Sequence, residues 1–306
     1  MSTHSNTANK TLIDKDAVEK NISSRDRKNS VNKWLFLLCT LIGLIVLVAL
    51  LIQTFVKGAG HLTPEFFTNF SSSTPADAGI KGALVGSIWL ILSIIPISII
   101  LGIGTAIYLE EYAKDNALTS FIKVSISNLA GVPSVVFGLL GLTIFVRGMG
   151  IEALALSNSV LAAALTMSLL ILPVIIVASQ EAIRSVPSSV REASYGLGGN
   201  KWQTIRRVVL PAAIPGILTG FILALSRALG ETAPLILIGI PTVLLSLPSS
   251  VFDQFQALPM SIYNWAKLPQ DEFQNVASAG IIVLLVILLL MNAIAIFLRN
   301  KYSKKY

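Results

Sequence analysis

The 306 residues contain one cysteine, two histidines and only 13% Asp, Glu, Lys and Arg, where an average soluble domain carries about 25%. The single cysteine, Cys39, lies in the apolar run Leu35–Ile52, so an intrachain disulfide is impossible and the redox compartment cannot be read from it. His4 and His61 stand far apart in polar segments, which argues against a histidine or cysteine metal site. The chain lacks the G-x-x-x-x-G-K-[ST] phosphate loop, so it does not itself supply an ATPase centre, and no cofactor is expected on it. Membrane-depth acidic pairs, histidine clusters and a cysteine beside a base are all missing, which argues against an intramembrane enzyme.

What is abundant is apolar surface: 54% of the residues are hydrophobic. A bilayer core of ~30 Å needs ~20 apolar residues at 1.5 Å per residue. Stretches free of Asp, Glu, Lys and Arg run over Trp34–Val56, Gly82–Leu109, Val124–Val146, Ala153–Gln180 and Phe273–Leu298. A sixth, Pro211–Gly239, holds Arg227 and Glu231, four residues apart and so on one helical face. Thr232–Phe252 is uncharged too, but Pro234, Pro241 and Pro248 interrupt it, and lipid cannot replace the hydrogen bonds that proline removes. It reads as an extracytoplasmic loop or re-entrant element. Pro96, Pro133 and Pro173 inside the spans, with Gly102, Gly104, Gly138 and Gly141, mark closely packed and locally broken helices. Gly82–Gly86 and Gly216–Gly220 fit small-xxx-small packing.

Six spans with a cytoplasmic N-terminus place 18 basic residues inside and four outside, with Arg227 left within a span. A seventh span would put the basic C-terminus on the wrong side. The formal charge of +7 is therefore mostly a topology signal, and nucleic acid drops out as a partner while membrane lipid enters. The expected organisation is a flexible cytoplasmic tail over residues 1–33 and an uncleaved anchor over 34–56. A core over 80–299 follows, with a cytoplasmic loop at 182–210, and a basic cytoplasmic tail over 300–306 ends the chain. Glu110 and Glu111 are expected in a solvated cytoplasmic loop, and Arg147 at the outer interface, its charge snorkelling to water.

The loop between the fourth and fifth spans reads EAIRSVPSSVREASYGLGGNKWQTIRRVVLP as far as Pro211. Pro187 with Ser188 or Ser189 as a cap predicts a helix start, and Gly198, Gly199 and Asn200 predict a sharp break, since these residues tolerate positive φ. A second helix carries Trp202, Ile205, Val208 and Val209 beside Lys201, Arg206 and Arg207. Helix, glycine turn, helix makes a projecting knob.

Glu192-Ala193-Ser194, three residues, Gly198, nine residues, Val208, one residue, Leu210-Pro211 resembles the EAA loop of ABC importer permeases. Ser194 stands for the second alanine of that pattern and Val208 for its isoleucine; the spacing is intact. Ala130–Leu139 (AGVPSVVFGL), Arg227–Leu235 (RALGETAPL) and Tyr108–Tyr112 (YLEEY) are similar to the permeases of phosphate importers, and Thr-Ala-Pro-Leu after Gly-Glu resembles their A-type subunit. The resemblance runs from about Gly60 to Phe297.

It implies an all-α membrane protein, six helices in a type I importer (MetI-like) permease bundle in the cell membrane, both termini cytoplasmic. It implies a partner set as well: a homologous C-type permease, two cytoplasmic ATPase subunits that bind ATP and magnesium, and an extracytoplasmic phosphate-binding protein. Glu192, Ala193, Ser194, Gly198, Leu210 and Pro211 would couple the permease to the ATPase. Arg227, Glu231 and Thr232 would line the substrate path, because a guanidinium offers paired donors to phosphate oxygens and stays charged. A permanent Arg227–Glu231 bridge that makes two charges tolerable inside the bundle is the alternative. Molybdate, sulfate or phosphonate are rival cargoes, and an ion-coupled secondary carrier is a rival mechanism.

Overall fold

The computed structural model describes residues 15–302. It is helical; among the described residues the one strand-like pairing is a bridge between Ser159 and Gln254. The chain divides into a unit ending at Gln53 and a second from Thr54 onward. The first unit belongs to helix α1, Lys15–Gly58, whose residues Trp34–Gln53 are exposed on every side. An all-round apolar helix of this kind suits a lipid or subunit environment. The tail expected to be flexible over 1–33 is helical from Lys15, because extending a helix already nucleated by an apolar span costs little. Residues 1–14 and 303–306 of the expected tails lie outside the described residues.

The second unit comprises α2 (Lys81–Tyr112), α3 (Ala117–Leu129), α4 (Ser134–Val146), α5 (Val160–Arg184), α6 (Ser188–Gly196), α7 (Lys201–Gly230), α8 (Ala233–Leu237), α9 (Leu258–Lys267) and α10 (Asp271–Tyr302). It starts well before residue 80: the short helix Pro64–Thr68 buries Phe66 against Ile80, Trp265 and Phe273. Among the described residues five helices are long and apolar enough to span, α1 included.

The expected third span is not one rod. It is α3 and α4, bent by 103° across Ala130–Pro133. Pro133 lacks an N–H and disfavours helical backbone at Val132, so the ladder cannot pass through. Pro96 and Pro173, in contrast, stay within helices. The fourth span begins at Val160 rather than Ala153, capped by the Ser159 hydroxyl, which accepts from the Ala162 amide at 3.3 Å. Thr232–Phe252 does not cross as a helix: after α8 the chain stays non-helical up to Ala257.

The buried centre is α5. Met167, Ile171 and Ile175 are fully enclosed, with Phe137, Leu235 and Phe255 around them. Two small-residue contacts set its packing on α7. A Cβ on Gly216 would stand 2.7 Å from the Ala182 Cβ, and one on Gly220 would collide with the Ala178 Cβ. Gly82 and Gly86 also mark a close approach, but to the non-helical segment at Gln256 rather than to another helix.

That segment folds back on the start of α5, where Val160 and Leu161 amides donate to the Asp253 and Val251 carbonyls. The Asp253 carboxylate knots the turn, accepting from the Ser249 hydroxyl at 2.7 Å and the Ser249 and Ser250 amides at 2.8 and 2.9 Å. These donors, the hydroxyl foremost, hold the carboxyl below its ordinary value. A depressed acid stabilises the fold above its unfolded value and loses that contribution as pH falls through the folded one.

Two outcomes follow from this packing. Gly220→Leu should lower the thermal midpoint of the detergent-solubilised protein by several degrees, for an overpacking cost of ~1–3 kcal/mol, whereas Gly43→Leu should leave it unchanged. Around Gly43 nothing lies within 4 Å of a new Cβ. Hydrogen-exchange protection at the Ser249 and Ser250 amides should be intact at about pH 6 and lost only once pH falls below the ordinary aspartate range, about 3.9.

Candidate functional site

Two regions answer to the residues singled out from sequence. The first is the loop from Arg184 to Leu210. Pro187 is the cap residue of α6 and no serine side chain caps it; Ser188 is already the first helical residue, so the expected serine cap does not form. α6 ends in a tight turn, with the Leu197 amide donating to the Ala193 carbonyl, Gly198 to Tyr195 and Gly199 to Ser194. Gly198 has φ +83°, a backbone state that side chains with a Cβ resist. Asn200 then opens α7 in a reciprocal cap, its side chain accepting from the Gln203 amide at 2.9 Å while the Gln203 side chain accepts from the Asn200 amide at 2.9 Å. The Ser194 and Thr204 hydroxyls, 2.9 Å apart, pin the two arms together.

The result is stiff and protruding. Leu197 at the tip is 91% exposed and Trp202 is 56% exposed, so Trp202 is not the packing residue of an ordinary connection. Glu192, Ala193 and Gly198 are exposed, Ser194 and Leu210 half-buried, and Pro211 lies exposed in α7. Between the arms runs a groove of about 430 Å³ bordered by Val190, Ala193, Leu197, Gly199 and Arg207.

The second region lies deep in α7. The Arg227 Nε donates to Glu231 Oε1 at 3.4 Å, with the side chains 41% and 25% exposed. Helix α7 stops at Gly230, and Glu231 turns extended before α8 begins at Ala233, so both charges sit at a helix break. The neighbouring helix flanks it. Arg299, at the basic end of α10, donates to the Thr219 hydroxyl at 3.4 Å, and the Ser226 hydroxyl donates to Asn292 Oδ1 at 2.7 Å. Arg227 is eight residues beyond Thr219, ~12 Å further along α7 at 1.5 Å per residue. Thr232 is half-buried beside the pair, whereas Ser226 is occupied by Asn292, a partner that the sequence reading passed over. The helix that follows the break, α8, packs on α4: Gly138 would meet Pro234 Cα at 2.8 Å if it bore a Cβ.

The expectation for the two acids at the end of α2 is overturned as well. Glu110 and Glu111 are not in a solvated loop; α2 continues through Tyr112 in a π-helical turn and buries both carboxylates, to 11% and 8% exposure. Glu110 meets Lys123 of α3 at 2.9 Å, Arg184 of α5 at 3.0 Å and Gln180 at 3.1 Å. Glu111 meets Arg191 of α6 at 3.1 Å.

A bundle of membrane helices with broken rods and a rigid helix–glycine–helix projection is the architecture of an ABC importer permease. Residues 96–305 match the family described as binding-protein-dependent transport system inner membrane component, and the chain belongs to that family. It is 33% identical over 285 residues to the probable ABC transporter permease protein YqgI of Bacillus subtilis, covering 89% of this chain and 95% of that one. It is 34% identical over 281 residues to the phosphate transport system permease protein PstA of Yersinia pestis, covering 91% and 92%. Among solved structures, a chain of a bacterial alginate ABC transporter superposes with a TM-score of 0.66 at 16% identity, covering 92% of this chain and 98% of that one.

Gly198→Val should keep the protein in the membrane with an unchanged helical content, while raising the cost of the turn by ~1–3 kcal/mol. The loop should then show faster exchange of the Gly198 and Gly199 amides than in the wild type.

Proposed function

We propose that this chain is the A-type permease half of an ATP-driven importer that carries inorganic phosphate into the cytoplasm. In this reading it pairs with a homologous permease, two ATPase subunits and an extracytoplasmic phosphate-binding protein. The observation that carries it is the rigid projection around Gly198 at one end of a helix whose other end bears the Arg227–Glu231 pair at a helix break. Kinship over most of the chain with a permease named for phosphate transport supports the cargo. The basic residues concentrated at the loop end and in both terminal segments support a cytoplasmic loop and cytoplasmic termini.

The chemistry is anion exchange on a fixed cation. A multiply charged phosphate cannot enter hydrocarbon alone, so the path must offer donors without trapping the ion. Arg227 supplies a permanent charge and a planar fork, and Glu231 neutralises it at rest through the single 3.4 Å contact. Phosphate competes for the same donors, and Thr232 adds a hydroxyl beside them. Glu231 then restores the resting pair and limits how tightly the anion is held. Loop residues Glu192, Ala193, Ser194, Gly198, Leu210 and Pro211 form the arms that the ATPase subunits grip, and ATP-driven closure of those subunits moves the loop.

The test is uptake of radiolabelled phosphate into proteoliposomes holding this subunit and its partners, with sulfate and molybdate as competitors. Phosphate-selective, ATP-dependent uptake abolished by Gly198→Val is the expected result. Uptake of another oxyanion would overturn the cargo, and uptake without ATP would favour an ion-coupled carrier. Arg227→Lys should cut uptake at least about tenfold without loss of assembly, because an ammonium cannot reproduce the bidentate fork. Full activity in Arg227→Lys would make the pair a structural bridge.

A further inference from the structure

The buried acids at the end of α2 have no part in the function above, yet they lie where the loop meets the membrane helices. Arg191, in the first arm of the loop, spends its guanidinium on three acceptors. Its Nε and Nη2 donate to Glu111 Oε1 at 3.4 and 3.1 Å, Nη2 also donates to the Ile183 carbonyl at 2.9 Å, and Nη1 donates to the Val186 carbonyl. The two carbonyls belong to the end of α5 and the turn after it, where the helical ladder leaves acceptors without partners. Lys201, in the second arm, places its ammonium 5.0 Å above the ring of Tyr112. Consecutive residues of α2, Glu111 and Tyr112, thus hold both arms of the loop, one on each side of the Gly198 turn. Glu110, one residue earlier, ties α2 to Lys123 of α3 and to Gln180 and Arg184 of α5.

We propose that the Glu111–Arg191 ion pair, backed by Lys201 on Tyr112, is the link that carries movement of the loop into the second membrane helix. It rests on the permease reading above. Both residues act as positioning residues: neither touches the cargo, and each works by holding an arm of the loop to α2. A carboxylate 92% withdrawn from solvent tolerates no separation from its partner, because the alternative is an unpaired buried charge; the contact therefore moves as a unit. A guanidinium fork adds direction, since its planar donors fix the angle of α6 against both α2 and α5 as well as the distance. Displacement at Leu197 is thereby passed to α2 and, through Glu110 and Lys123, to α3. α4 is seated separately, Gly138 on Pro234 and Gly141 on Thr166. The 103° break at Ala130–Pro133 falls between the half tied to the loop end and the half seated on α8.

The experiment uses the complete transporter in proteoliposomes with Glu111→Arg, Arg191→Glu, the double exchange and the milder Glu111→Gln. Three quantities are read: ATPase subunit retained on purification, ATP hydrolysed, and oxyanion taken up per ATP, the oxyanion being whichever one the wild type carries. Each single reversal should retain the ATPase subunit and hydrolyse ATP while uptake per ATP falls at least about tenfold, as loss of one partner of a buried pair requires. The double exchange should recover uptake per ATP to within about threefold of wild type, the signature of direct coupling between two residues. Glu111→Gln should fall between wild type and the reversals.

Unchanged uptake per ATP in both reversals would overturn the link while leaving the permease reading intact. So would losses that follow the amount of ATPase subunit retained in every variant, Glu111→Gln included, or a double exchange no better than the singles. A wild-type complex that transports no oxyanion at the expense of ATP would overturn the permease reading itself, and the link with it.

Discussion

Hydrocarbon offers no water to a free N–H or C=O, and this single constraint shapes where the chain is regular and where it is allowed to break. Helices can stop at membrane depth only where neighbouring protein covers the exposed backbone. The two interruptions meet that rule unequally. The break at Ala130–Pro133 leads into α4, and the break at Glu231–Thr232 leads into α8, and these two short pieces close on each other through Gly138 and Pro234. Glu231 and Thr232 are half-buried at the second break, whereas Gly131 and Pro133 are exposed at the first. A straight helix at either place would be more stable in lipid and would have no movable point there.

The same constraint governs charge. At the loop end, two carboxylates are drawn out of water and each is met by basic side chains from other helices, so the cost of burial is offset only while the helices stay in register. Such contacts contribute little net stability compared with apolar packing. What they add is angular definition, which a connection that transmits force requires and an oily contact lacks. At the α7 break, Arg227 is handled differently: its pair with Glu231 is single, long and partly open, which suits an exchangeable contact rather than a clamp.

Much of this architecture is legible in the sequence because a membrane span advertises itself by length and apolarity alone. The loop is legible for a related reason: Glu192, Gly198 and Leu210-Pro211 carry both the spacing and the positive-φ glycine that the turn demands. The bend in the third span is half-visible. Gly131 and Pro133 mark it, but an apolar count over Val124–Val146 reads straight through them. The fate of Glu110 and Glu111 is invisible locally, since two acids after an apolar run look like a helix end in water until partners on three other helices, Lys123, Arg184 and Arg191, are known. Asn292 escapes notice for the same reason: one amide in a run of leucines has meaning only beside Ser226.

Alternating exposure of the α7 break is the central claim, and chemical access to Thr232 tests it most directly. With Cys39→Ser and Thr232→Cys in the assembled transporter, a membrane-impermeant thiol reagent should label residue 232 from one side of the membrane in the ATP-bound state and from the other in the nucleotide-free state. Labelling from the same side in both states, or from neither, would contradict a moving path at this break and return Arg227 and Glu231 to the status of a fixed structural bridge.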